Sequence, residues 1–332
     1  MQFRQRLVLP AVFALAALAA GTASAQPASG GAFPNRPVTL IVPFPPGGPS
    51  DALARAVAQK MGEDLGQPLV IENLGGANGV IGLTKALKSA PDGYTLAFGG
   101  IGTHVANVAL YKKLPYDPVA DFLPIGPAGA APMLLLARTD MPANTLPEFI
   151  AWLGRNKAKA SFGSAGVGSI SHYGCVLLLS SIKQSVTHVP YRGVAPAMND
   201  LMGGQTDFMC DQTTTALPQV AGGRIKAIAV LSARRLPQLP RTGTAAEAGY
   251  QLDARSWNAI FAPRGTPAPV AARLTQALQH AMADAGLRSQ MQTLGVDLPA
   301  PADATPTAVS ALIVRGLRDD VPALKAKGEY LD

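Results

Sequence analysis

Cysteine is almost missing: Cys175 and Cys210 are the only two in 332 residues, and no C-x-x-C occurs. That excludes a disulfide-scaffold fold and the zinc sites built on paired thiolates. One disulfide between the two is chemically permitted in an exported protein, yet both stand in apolar surroundings, and the sequence favours two buried free thiols. The four histidines, His104, His172, His188 and His280, are scattered without metal-ligand spacing, so no metal site is expected. Charged side chains make up only 15% of the chain and form no block of one sign, which argues against a nucleic-acid partner. No G-x-x-x-x-G-K-[ST] occurs, and "GGANGVIG" (75–82) lacks the spacing of a dinucleotide fingerprint, so no nucleotide cofactor is expected. After residue 25, no apolar run approaches the ~20 residues of a membrane-spanning helix.

What is present begins with a processing signal. Arg4 and Arg6 precede an apolar stretch from Leu7 to Ala20, and Ala23-Ser24-Ala25 has the A-x-A form. This pattern predicts a secretory signal peptide over 1–25, cleaved near Ala25, with Pro27–Ala32 a loose leader. The remaining 307 residues (332 less 25) carry 26 basic and 21 acidic side chains, a net of +5. That length suits two domains of ordinary size. The mild positive charge suits a small anionic ligand only weakly.

Along the mature chain, strand-like and helix-like patterns alternate. Val38–Val42 reads as a strand and Asp51–Leu65 as a helix, with Leu53, Ala54, Val57 and Met61 at helical spacing. Further βα pairs follow through Ile225–Val230, which predicts parallel βαβ units and an α/β class. Two long stretches, 123–138 and 248–263, are extended-looking and without helical period. After the second only helices follow, at Val270–Ala285, Thr307–Asp319 and Pro322–Lys327. The economical layout sends the chain out of a first domain near 129 and back near 253. It predicts a discontinuous domain of 33–128 and 254–332, a second of 129–253, and a hinge of two crossover strands.

Five glycine-rich loops share one context: 45–51, "LGGANG" (74–79), "FGGIGT" (98–103), "FGSAGVGS" (162–169) and "YRGVAP" (191–196). Each follows a predicted strand and precedes a predicted helix. In parallel α/β sheets such loops gather beyond the carboxyl ends of the strands, where ligands bind. Each offers a helix N-terminus with free amides, a seat for an anion. Gly47 and Gly48 lack the Cβ that would block a ligand or forbid positive φ. Ser50 and Asp51 read equally well as N-cap residues, and Asp51 with Arg55 as an i, i+4 ion pair.

No catalytic constellation stands out. "GSAG" (163–166) is not a nucleophile elbow, and Ser164, Ser169 and His172 lack an evident orienting acid. His172 reads as a cap or cleft-wall residue. No catalytic residue is expected, and an exported hydrolase or isomerase using Ser164, Ser169 and His172 is kept as the alternative.

The segments "FPNRPVTLIVPFPPGGPSDALAR", "VIENLGGANGVIG", "LPYDPVADFLPIG", "FGSAGVGSISH", "HVPYRGVAPAMNDLMGGQTDFMCD" and "LPQLPRTGTAAEAGY" together resemble the Bug-type (TctC-like) periplasmic solute receptors of tripartite tricarboxylate transporters. The resemblance covers essentially the whole mature chain. It implies a two-lobed periplasmic-binding-protein (flytrap) fold, a periplasmic monomer without cofactor, a small carboxylate ligand, and the permease subunits of a tripartite transporter as partners. It puts Pro46, Gly47, Gly48, Ser50 and Asp51 at the cleft floor, with the backbone and Asp51 holding the ligand partly through water. Ser164, Gly166, Gly168 and Ser169 would seat a carboxylate on a helix N-terminus. Asn78 and Thr103 would line the first-lobe side, and Gly193 and Asp211 the second. Two departures bear on the ligand: "GGANG" replaces the family's G-A-G-G, placing Asn78 in or near the cleft, and "YGCVLLL" lacks an acidic residue often found there. Dicarboxylates, tricarboxylates, acidic amino acids and aromatic acids all stay open, as does a receptor that signals to a sensor kinase.

Overall fold

The computed structural model describes residues 33–325. The predicted signal peptide, the leader and the last two residues of the final predicted helix lie outside them. The chain opens with β1 (Val38–Val42), α1 (Pro49–Leu65), β2 (Leu69–Asn73), α2 (Val80–Leu87) and β3 (Thr95–Gly100). In α1, Pro49 stands at the first turn and Gly66 ends the helix at φ 70, a left-handed value glycine adopts freely. Its face of Leu53, Ala54, Val57, Met61 and Leu65 is buried, as the 3.6-residue period requires. A π-helical turn at Gly102–Ala106 and the short α3 (Asn107–Leu110) then lead to β4 (Phe122–Ala137).

The second stretch of βα pairs comprises α4 (Leu146–Asn156), β5 (Ser161–Ser164), α5 (Ile170–Ser181), β6 (Thr187–Pro190), α6 (Val194–Met202), β7 (Phe208–Gln212), α7 (Thr213–Ala221) and β8 (Lys226–Val230). Then β9 (Arg255–Pro263) is followed by helices alone: α8 (Ala268–Ala283), α9 (Ala285–Thr293) and α10 (Pro306–Lys325). Two of these differ from expectation. α9 was not foreseen, and the two predicted terminal helices are one, running through Pro322. Val309, Ile313, Val321 and Leu324 keep a continuous apolar stripe packed on one core, and this burial outweighs the hydrogen bond that proline forfeits.

The strands hydrogen-bond in the order β2-β1-β3-β9-β4-β7-β5-β6, with β8 on β4. β1–β2, β1–β3, β5–β6 and β5–β7 are parallel, as the alternation predicts. β9 and β4 run antiparallel between these two parallel groups. β4 changes partners along its length: Phe122 to Pro132 pair with β9, and Met133 to Ala137 with β7 and β8. Its prolines explain the irregularity. Proline cannot donate to a ladder, and the register shifts follow Pro124 and Pro127, while Pro132 marks the change of partner. From there β4 is buried on both faces. Met133, Leu135 and Ala137 join a core with Phe149, Phe162 and Phe208, while Leu134 and Leu136 join one with Met198, Leu201 and Met209. A third core, around Phe122, Phe261 and Leu83, serves the β1–β3 group.

The expectation of free thiols is overturned: Cys175 on α5 and Cys210 on β7 form a disulfide inside the second group's core. Both thiols are buried in apolar surroundings as read, but α5 packs directly on β7, and a pairing 35 residues apart leaves no trace in local sequence.

Candidate functional site

At the carboxyl ends of β1, β2, β5, β6 and β7 the chain encloses a cavity of about 800 Å³. Four of the five glycine-rich loops meet there. The fifth, 98–103, does not reach the cavity: Thr103 is fully buried, bonding Gly100 N and His104 Nδ1. Of the residues singled out from sequence, Pro46, Gly48, Ser50, Asn78, Gly166, Ser169, Gly193 and Asp211 line the cavity. Asp51, Thr103, Ser164, Gly168 and His172 are buried behind its wall, and Gly47 is exposed without lining it.

Each residue behind the wall has a structural task. Asp51 is buried, and its carboxylate accepts from Gly47 N at 2.9 Å, Asn73 Nδ2 at 2.8 Å and Arg55 Nε at 3.0 Å. Asn73 Nδ2 also reaches the Phe44 carbonyl, so the first loop is tied to the end of β2. Burial alone would raise the Asp51 pKa, but the bonds from Arg55, Gly47 and Asn73 hold it below the ordinary carboxylate value. Gly47 has φ 79 and needs to be glycine, whereas Gly48 is at φ −83, a value any residue adopts. The expected need for positive φ at Gly48 is therefore corrected. Ser164 engages His188 Nε2 through its hydroxyl at 2.7 Å and also bonds Gly166. His172 accepts from Gly168 N through Nδ1 and stacks on His188, and burial pulls its pKa down to about 4.

The second loop is unusual in its backbone. Gly76, Ala77, Asn78 and Gly79 all have positive φ, and the αL values of Ala77 and Asn78 carry strain that tertiary contacts hold in place. Asn78 Nδ2 donates to Asn107 Oδ1 at 2.7 Å and to the Gly168 carbonyl at 2.8 Å. The second bond joins the loop after β2 to the loop before α5. Gly193 lies against the first loop as well, since a Cβ there would stand 3.2 Å from Pro45 Cγ.

Among the described residues, the charged side chains that line the cavity are Arg192 and Asp211. Arg192 is exposed and Asp211 almost fully buried, so one marks the rim and the other the depth. Burial pushes the Asp211 carboxyl up to about 7, against the opposing pull of its bonds from Thr215 and the Gln212 amide. Sequence reasoning passed over Arg192, Asn73, Tyr111, Tyr191 and Gln212. The signal for Arg192 lay in "YRGVAP", where a cation directly precedes the glycine that opens α6.

Residues 53–308 match the family model described as the tripartite tricarboxylate transporter family receptor. The chain belongs to this TctC family. Solved structures agree. The structure of the periplasmic binding protein BugD is 38% identical with a TM-score of 0.86, covering 90% of this chain and 99% of its own. MatC from Rhodopseudomonas palustris, solved with bound malate, is 39% identical with a TM-score of 0.83, covering 87% of this chain and 99% of its own. An R. palustris protein solved with adipate is 29% identical with a TM-score of 0.84, covering 89% and 98%. The TctC receptor described here thus has the two-lobed α/β periplasmic-binding-protein fold. It is a solute receptor, not a hydrolase.

Proposed function

We propose that this receptor captures a small carboxylated ligand in the cavity and delivers it to the permease subunits of a tripartite tricarboxylate-type transporter. The observation that carries the reading is the convergence of four βα loops from both parallel strand groups on one cavity, with Arg192 at its rim. Malate and adipate in the two relatives support a carboxylate as ligand class. On this reading the lobes are 33–128 with 254–332 and 129–253, and β4 and β9 are the hinge strands about which they close. The change of partner at Pro132 and Met133 supports a crossing there. Ligand contacts are assigned to Pro46, Gly48, Ser50, Asn78, Gly166, Ser169, Gly193, Asp211 and Arg192. The protein acts as a monomer in the periplasm after cleavage near Ala25.

Native mass spectrometry of the protein isolated from periplasm tests this reading. The expected result is a monomer carrying a small organic acid that is released on denaturation. A protein that neither retains such an acid nor binds any when carboxylates are added would contradict it.

A further inference from the structure

The loop after β2 holds Ala77 at φ 47 and Asn78 at φ 48, left-handed values that a residue other than glycine keeps only where its surroundings impose them. Asn78 is held by a buried scaffold. Asn107, fully buried at the start of α3, accepts from Asn78 Nδ2 at 2.7 Å and returns a bond from its own Nδ2 to the Asn78 carbonyl at 3.2 Å. Asn107 Nδ2 also donates to the Tyr116 hydroxyl at 3.1 Å. That hydroxyl donates in turn to the Thr103 carbonyl at 2.6 Å, inside the π-helical turn. Each of these groups is satisfied within the protein, which gives the scaffold one defined arrangement.

The scaffold presents one further donor to the opposite set of loops. The second Nδ2 hydrogen of Asn78 goes to the Gly168 carbonyl at 2.8 Å, 90 residues along the chain. A carbonyl only accepts, so this bond fixes which end of the amide lies against it. With both N–H groups given to the protein, only Oδ1 is left for a ligand. The acceptor is held in its turn: Gly168 has φ 79, and its own N–H is taken by His172 Nδ1 at 3.2 Å. Neither partner of the Asn78–Gly168 bond belongs to a ligand, so the bond acts whether or not one is bound.

Resting on the reading that the lobes close about β4 and β9, we propose that Asn78 is a latch between them. Its bond to the Gly168 carbonyl biases the receptor toward the closed arrangement before a ligand arrives, and Asn107 is the positioning residue that aims it. One ordinary hydrogen bond shifts such an equilibrium roughly 2- to 10-fold. A ligand that binds the closed form gains apparent affinity by up to that factor, because more of the receptor is already competent.

Distances between two spin labels test this in the mature protein dialysed free of ligand. Lys88→Cys at the end of α2 and Asn199→Cys on α6 place one label on an exposed position of each lobe. Pulsed electron spin resonance then reads the ratio of closed to open distances. Asn78→Gly keeps the left-handed loop without steric cost and removes both side-chain bonds. It is expected to lower the closed-to-open ratio roughly 2- to 10-fold, the worth of one hydrogen bond. Asn107→Ala, at a residue that does not line the cavity, is expected to shift the ratio the same way. Should that variant fold poorly, Asn78→Gly alone decides. A ratio in Asn78→Gly equal to the parent's, or shifted toward closed, overturns the latch. Because no ligand is present, a lost ligand contact cannot produce the expected shift. Hinge closure fails separately, if malate or adipate shown by calorimetry to bind the labelled parent leaves its distances unchanged.

Discussion

At the scale of single residues, the carboxylate of Asp51 shows how a side chain can matter to a site it does not touch. Its side chain is 5% exposed and receives donors from the loop, from α1 and from the end of β2. Its partner Arg55 is 52% exposed, so water screens the ion pair and the buried hydrogen bonds carry most of the effect. Asp51→Asn is expected to cost roughly 1.5–3 kcal/mol of stability, the range for one hydrogen bond to a charged group. Affinity should fall for all acids by a similar factor, because the loop loosens, while their ranking stays the same. The pH dependence has a definite sign. The folded pKa is lowered, so the stabilisation is present above the ordinary carboxylate value and fades as pH falls through the lowered folded value. Urea titrations of parent and variant from pH 3 to pH 7 measure this, and a variant equal to the parent at neutral pH would exclude the clamp. Sequence placed Asp51 in this loop but did not show its clamp. The reason is physical: Asn73, which completes the clamp, lies 22 residues away and comes alongside only when β2 pairs with β1. The Ser164–His188 bond is hidden from local sequence for the same reason, since His188 reaches Ser164 only through the β5–β6 pairing.

At the scale of elements, local signals were legible wherever a helix or strand is defined by its own residues. The apolar period of α1, its proline start and its glycine stop were all readable, and so was the extended character of β4 and β9. The switch of β4 between partners was only partly readable, as a stretch rich in proline and glycine without a helical period. The disulfide was not readable, because two isolated cysteines carry no pairing information. It now ties α5, which starts at the cavity, to β7, which ends there. In the loop-entropy account, closing 35 residues is worth roughly 3–4 kcal/mol. The double variant Cys175→Ala, Cys210→Ala is therefore expected to unfold at lower urea with a loss of that size. A loss below about 1 kcal/mol would show that the bond adds little constraint to the unfolded chain.

At the scale of the whole molecule, two parallel strand groups joined through β4 and β9 put two sets of βα loops opposite one another. Cross-cavity contacts already link the sets: Asn78 to the Gly168 carbonyl, and Gly193 against Pro45. A ligand seated among them touches both sets at once, and that is how binding can hold the lobes together. The central claim is thus that one ligand engages both groups of loops. Hydrogen exchange followed by mass spectrometry, with and without a carboxylic acid shown to bind, measures it directly. The account predicts slower exchange, on adding the acid, in 45–51 and 74–79 of the first group together with 165–169 and 192–196 of the second. Protection confined to one group, or lying outside these loops, would contradict it.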